Sequence, residues 1–349
     1  MKEISDYVNG LELGQAQIYK NIAVIPLMGK DSKLEYIVFD EAVNSGLKVN
    51  ETGSVPTLHM KNETGKEVLI MLGEYVKGGK QNRMVATNVY MAKDFDGDVP
   101  VSCVQHFRWT PGMGSDFGSS GRRATRDVSY AACRGQDAVW NMVSCLAADT
   151  GISSLSQDIG DVYEGKKQDV GDYLRNFSYI PNSVGLVVIT QKNGLKDFTA
   201  DIFDQSRTLE KNYRKLIESY VLEALSGGNN VQYSEQEIKE FLDKLKDAGF
   251  TERKPVSLGR DFLIQGNNIE GSSIVYEGIP VYITLGNRTK KHEEPITPEN
   301  PFPGLGGHIR TGFYRPEHTT FFNTTDDSNI LRNRSFDITD DSNSLRFRF

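Results

Sequence analysis

The sequence predicts an α+β fold: a mixed, mostly antiparallel sheet core with three main helices and an extended C-terminal tail. Three observations predict it. Short apolar runs separated by turn residues fill the chain from Ile22 to Val104. From Arg126 onward the apolar residues recur at three- and four-residue steps, the period of a helix. Beyond Gly286 the composition turns abruptly to proline, glycine and charge.

In chain order, the strand-like runs are Ile22 to Leu27, Leu34 to Phe39, Val55 to Met60, Val68 to Leu72 and Val99 to Val104. Val68 to Leu72 is apolar at every position, as a strand covered on both faces must be, so it is expected at the centre of a sheet. Residues 110–127 hold Gly112, Gly114, Gly118 and Gly121 among serines and arginines, and read as a mobile loop. Val128, Ala131, Ala132, Val139, Met142, Val143 and Leu146 then line one helix running to Thr150 and closed by Gly151. Val184 to Ile189 returns to strand and Asp197 to Phe203 is expected to pair with it. Leu209 to Ala224 makes the second helix, stopped by Gly227-Gly228. Ser234 with Glu237 three residues on is a capping box, and Ile238, Phe241, Leu242 and Leu245 follow on one face of the third helix. Phe262 to Ile264, Ser273 to Tyr276 and Pro280 to Leu285 complete the strands.

The domain reading is a core over residues 1–286, a Pro/Gly-rich linker over 287–321 and a tail over 322–349. The core divides into a strand-rich part (10–109), the loop (110–127) and a helix and strand part (128–286). In the tail, the eleven residues from Phe322 recur fourteen residues later from Phe336 as a near copy. Two copies cannot bury a core by themselves, so the tail is either a flexible extension or adds as a strand to a sheet edge of this or another subunit.

The chain has 349 residues and a formal charge of −7, from 40 basic and 47 acidic side chains, which disfavours nucleic acid as a partner. Three cysteines without close spacing argue against a disulfide framework and a zinc knuckle. No run approaches 18 apolar residues and the first ten are polar, so the expectation is a cytoplasmic protein with no membrane partner. Only His59 and His106 fall in the core, and Asp94-Phe-Asp96-Gly-Asp98 places its glycine too early for a calcium loop, so no metal and no cofactor is expected.

The richest polar segment runs from Gly73-Glu74 through Gly78-Gly79 to Lys80-Gln81-Asn82-Arg83, directly after the buried run. The paired glycines permit positive φ, and the next four residues supply an ammonium, two amides and a guanidinium, a set suited to phosphate or carboxylate. Lys80, Arg83 and Arg108 are assigned to the anion, Gln81 and Asn82 to orientation, and Glu74 to a hydroxyl contact or an acid/base role. The alternative is a hairpin with solvated charges. Cys103 reads as a small buried residue or a ligand wall, since Cys103 and His106 point to opposite faces of a strand. Trp109 and Trp140 read as core residues, with stacking on a base as the alternative, and Cys133 and Cys145 are read as core. Arg122, Arg123 and Arg126, ahead of a helix N-terminus, are assigned to a lid closing over an anion.

Gly73-Glu74, Gly79 to Arg83, and Val99-Pro-Val-Ser-Cys-Val104 leading to Arg108-Trp109 resemble the family of ARG- and rhodanese-phosphatase-superfamily-associated domains. Ser54-Val-Pro56, Gln136 to Trp140, Asp161-Val-Tyr163, Phe203-Asp204, Ser219-Tyr220 and Ser273 to Tyr276 follow in the family's order, over about residues 10–286. The resemblance implies a ligand related to ADP-ribose, NAD or another phosphorylated small molecule. The family pattern commonly has an acid where Gln105 stands and a small residue where Phe107 stands. If that acid is catalytic, this chain binds without turnover and Glu74 is the remaining acid. Two functions follow as expectations: binding, with possible hydrolysis, of a phosphorylated or nucleotide-like molecule; or self-assembly into an oligomer or filament through residues 287–349.

Overall fold

A computed structural model describes residues 2–108, 114–192, 194–225, 227–228 and 230–287. The linker and repeat tail, and Trp109 with the four residues after it, lie outside the described residues. The described residues form eight α-helices and three sheets, an α+β architecture.

The largest sheet has nine strands, and its middle is built by Ile22–Met28, Ser183–Lys192, Leu195–Phe203, Ile279–Asn287 and Ile269–Tyr276, all antiparallel. Strand periodicity explains its burial on both faces. Leu186 and Val188 enter one cluster with the helices Gln136–Thr150 and Ser206–Ala224, while Val187 and Ile189 enter another with the helices Lys2–Asn9 and Glu235–Asp243. The expected pairing of the 184–189 and 197–203 runs is present, with Val187 opposite Ala200.

Val68 to Leu72 is buried throughout, and Glu67–Ile70 is the middle strand of a three-stranded sheet. It pairs antiparallel with Val89–Met91 and parallel with Tyr36–Val38. A six-stranded sheet carries the polar segment singled out above, in the order Phe117–Arg123, Glu74–Gly78, Arg83–Val85, Asp96–Cys103, Thr57–Asn62, Leu47–Glu51. Val76, Val85, Val99 and Val101 from this sheet pack with Val68 and Ile70 in a third cluster.

Several expectations are corrected. The segment expected as a mobile loop contains the strand Phe117–Arg123, irregular between Ser119 and Arg122, because its glycines and serines pair with Glu74–Gly78. The single helix expected from Arg126 to Thr150 is two helices, Arg126–Ala131 and Gln136–Thr150, separated by a 3-10 turn and by Gly135 at φ 102°, which an L residue rarely adopts. The helices Lys2–Asn9, Phe39–Ser45, Ile159–Gly165 and Lys167–Leu174 went unpredicted because each is short and polar on one side. The Ser234–Glu237 capping box is present, with the Ser234 hydroxyl accepting from the Glu237 amide. Cys145 is buried, but Cys133 is exposed rather than core.

Candidate functional site

Strand Glu74–Gly78 runs into the Gly78-Gly79 turn and returns as Arg83–Val85. Both glycines have positive φ, 146° and 46°. A Cβ on Gly78 would stand 2.2 Å from the Asp116 carbonyl, and one on Gly79 would stand 2.5 Å from Glu51 Oε1 and the Phe117 ring. The turn therefore closes only without side chains here.

The side chains after the turn face inward and meet residues from three other elements. Arg108 holds the turn: Nε donates to Gln105 Oε1 at 2.7 Å, Nη1 to the Gly79 carbonyl at 3.2 Å, and Nη2 to Asn82 Oδ1 at 3.1 Å. Asn82 Nδ2 donates to Asp158 Oδ2 at 2.7 Å and to the Tyr75 hydroxyl at 3.0 Å. Asp158 is also the N-cap of helix Ile159–Gly165, accepting from the Gly160 amide at 2.9 Å, which ties the network to that helix. Gln81 Nε2 donates to the His106 carbonyl at 3.0 Å. Gln81, Asn82, Arg83, Cys103 and Arg108 are thus brought together, with Lys80 half-exposed at the rim and its amide donating to Glu51 Oε1 at 2.9 Å.

Arg83 differs from its neighbours. Among the described residues it is the largest fully buried side chain, yet only its Nη1 is hydrogen-bonded, to the Gln81 carbonyl at 3.0 Å and Gln81 Oε1 at 3.3 Å. Among the described residues Nε and Nη2 have no hydrogen-bond partner, and the nearest carboxylate, Glu51, is 4.0 Å from Nη2. Cys103 is the cross-strand neighbour of Arg83; burial raises its thiol pKa, while the guanidinium opposes that rise. The Gln136 side chain brackets Cys103: Oε1 accepts from its amide at 2.7 Å and Nε2 donates to its carbonyl at 2.8 Å.

Beside this network stand three stacked rings. His106 lies between Phe107 and Trp140, with centroids 4.3 and 4.0 Å away and interplanar angles of 17° in both pairs. The His106 ring is oriented by Gln157 Oε1, 3.1 Å from Nδ1. Phe107 is 63% exposed, leaving the outermost ring open.

Glu74 is not part of this group. It begins the strand whose far end is Gly78, about 13 Å away at the strand rise, and its carboxylate meets the Lys215 ammonium at 2.7 and 3.0 Å. Lys215 also donates to Asp40 Oδ2 at 2.9 Å, and the Ser119 hydroxyl donates to Asp40. Burial pushes the Glu74 carboxyl up to about 7 against the opposing pull of Lys215. Its carboxylate points into this closed group.

The three arginines assigned to a lid are committed elsewhere. Arg123 is buried against Asp201, with Nη1 at 3.1 and 3.0 Å from the two carboxylate oxygens and Nε donating to the Leu72 carbonyl at 3.0 Å. Asp201 also accepts from the Tyr220 and Tyr282 hydroxyls. Arg126 is buried, donates to the Asn287 carbonyl at 2.8 Å and lies over Gly286, where a Cβ would stand 2.1 Å from Nε. Arg122 pairs with Glu164 at 2.8 Å and covers the Tyr163 ring. The strand and helix that replace the expected loop hold them in place.

Tyr75, Asp158, Lys215 and Asp201 were not singled out from the sequence, and Gln136 was named only as a family landmark. One signal was available: Thr208, Asn212, Lys215 and Ser219 recur at helical spacing and are all buried, a polar stripe inside a helix that otherwise reads as core.

Comparison with known proteins places the chain. Residues 10–285 match the model of the ARG and Rhodanese-Phosphatase-superfamily-associated Protein domain, and the chain belongs to that family. Neither the curated proteins nor the solved structures give a match. No described helix is long and apolar enough to cross a membrane.

Proposed function

We propose that this family member binds a phosphorylated, nucleotide-like small molecule on the surface formed by Gln105 to Arg108 and the Gly78–Arg83 turn. One observation carries the reading: the three-ring stack ends in the exposed face of Phe107 and lies directly beside the amide and guanidinium network. A flat base gains stacking energy on an open aromatic face, and phosphate gains from cations held nearby. Lys80 at the rim and Arg108 supply these, and the unspent donors of Arg83 add positive potential behind the turn. With Glu74 turned to Lys215 the reading is one of binding, without a hydrolytic step.

A thermal-shift panel with AMP, NAD and ADP-ribose on the full chain tests it. An upward shift is expected for wild type, reduced by Phe107→Ala and by Lys80→Ala. No shift with any of the three, or a shift unchanged in both variants, would end the reading.

Assembly is the second reading, favoured by the strand Gly249–Arg253. It is the last in its sheet, pairs on one side only among the described residues, and is largely exposed. An extended segment of another copy can add there. Light scattering on the chain with and without residues 288–349 decides it, since equal particle size would exclude the tail as the link.

A further inference from the structure

We propose a second ligand site, for a phosphorylated sugar, in a cleft of about 580 Å³ between the segment 33–37 and the hairpin end at Tyr276 and Glu277. It shares no residue with the Phe107 surface and goes beyond the reading given above. The volume falls within the range of small-molecule sites.

Four cations line the cleft: Lys33, Lys66, Lys93 and Arg207. None of them has an ion-pair partner within salt-bridge distance among the described residues. Against the three carboxylates of the same lining these four cations leave a formal excess of one positive charge, which favours an anion in a chain of net charge −7. Glu35, Glu67 and Glu277 share the lining, so a simple polyanion is a poor match. A sugar phosphate fits both signs, with the phosphate taken by the cations and the hydroxyls donating to carboxylates. Tyr276 offers a half-exposed ring against which the C–H face of a sugar can pack.

The walls are built in advance of any ligand. Gln205 is buried and organises one side: its amide donates to the Leu34 carbonyl at 2.6 Å and Ser32 Oγ at 3.1 Å, while its Oε1 accepts from Arg207 Nε at 2.7 Å. Arg207 Nη2 donates to the Tyr36 carbonyl at 2.8 Å, so the guanidinium plane is fixed from two directions. Asp31 accepts from the Ser206 amide at 2.7 Å and hydroxyl at 2.9 Å, anchoring the same loop. On the other side the Tyr276 ring rests 4.8 Å from that of Tyr90, whose hydroxyl donates to Glu67 at 2.5 Å. Glu277 and Gly278, at φ 51° and 77°, make the two-residue turn that ends the hairpin. A cleft held this way loses little freedom on binding, which favours affinity for a small ligand.

Isothermal titration of the full chain with ribose 5-phosphate tests the site, with ribose and inorganic phosphate as comparison arms. Saturable one-to-one binding is expected, about tenfold or more tighter than either arm, since neither satisfies both the cations and the carboxylates. Lys33→Glu combined with Lys93→Glu changes only exposed side chains and should weaken binding about tenfold or more. Tyr276→Ala should weaken it less, and Phe107→Ala should leave it unchanged. Absence of binding at millimolar ligand overturns the site. So does binding that survives the double reversal, or binding lost in Phe107→Ala, which would move the anion to the other surface. Equal affinity for inorganic phosphate would remove the sugar from the assignment and overturn it as stated.

Discussion

Arg123 and Arg83 are the same residue type at nearly the same depth, 3% and 0% exposed, in two regions of one sheet. Around Arg123 the donors are spent on Asp201 and the Leu72 carbonyl, and the carboxylate is completed by two tyrosine hydroxyls. Around Arg83 two of the three nitrogens have no hydrogen-bond partner among the described residues, and the nearest carboxylate there stands at 4.0 Å. A buried charge with all its partners is a fixed part of the scaffold, because removing one side strands the other. A buried charge left incomplete contributes little to stability and leaves bonding capacity that a ligand can use. Burial alone does not separate structure from site; the census of partners does.

The largest effect is expected from Arg123→Leu, which strands Asp201 with its two tyrosines. It should cost about 3–5 kcal/mol, read by urea denaturation. A loss below about 1 kcal/mol would break the comparison on its structural side.

Next comes pH, through Glu74, which neighbours Arg123 and faces Lys215. Its carboxyl titrates near 7 in the folded protein and at the ordinary 4.5 in the unfolded chain. The folded state therefore holds this proton more tightly, and the favourable contribution, full below 4.5, is lost as pH rises toward 7. The loss is about 3 kcal/mol for this group, and Glu223 near 7 and Asp204 near 6 act in the same direction, so Tm should fall between pH 5 and pH 8. Lys215→Met should steepen that fall; a flat profile in both proteins would show that these carboxylates titrate normally.

Gly78→Ala should cost about 1–3 kcal/mol, from positive φ and the approach of the Asp116 carbonyl, and should abolish the nucleotide-dependent thermal shift by opening the turn. The smallest stability effect belongs to Arg83→Met, within about 1 kcal/mol of wild type or slightly stabilising, because a charge with few partners is replaced by apolar volume. The same variant should weaken the nucleotide response. If Arg83→Met destabilised as strongly as Arg123→Leu, the two regions would be equivalent and the census would have no functional meaning.

Local patterns carried much of this fold, and long-range pairings did not. The all-apolar run at 68–72 pointed to burial on both faces, and both it and the strand run at 184–189 are buried throughout. The Phe117–Arg123 strand was hidden because its glycines and serines have low strand propensity, and its partner strand supplies the order. In the candidate site, Lys80 to Arg83 and Arg108 were found by their chemistry. Which donors remain unspent was not legible, since that depends on Asp158, Gln105 and Glu51 reaching them from 23 to 76 residues away. Glu74 was misplaced for the same reason: its partner Lys215 is 141 residues distant.

The Gln136 amide that brackets Cys103 has a consequence for the shape of the chain. One edge of a primary amide presents a donor and an acceptor side by side, as the N–H and C=O of a single strand residue do, so Gln136 stands in for one residue of a neighbouring strand. The ladder can stop at Cys103 with its backbone satisfied, and the chain is released to form the His106 and Phe107 platform instead of continuing as sheet. Replacing Gln136 with glutamate would keep the length but remove the donor, turning this surrogate strand into a charged, unpaired edge.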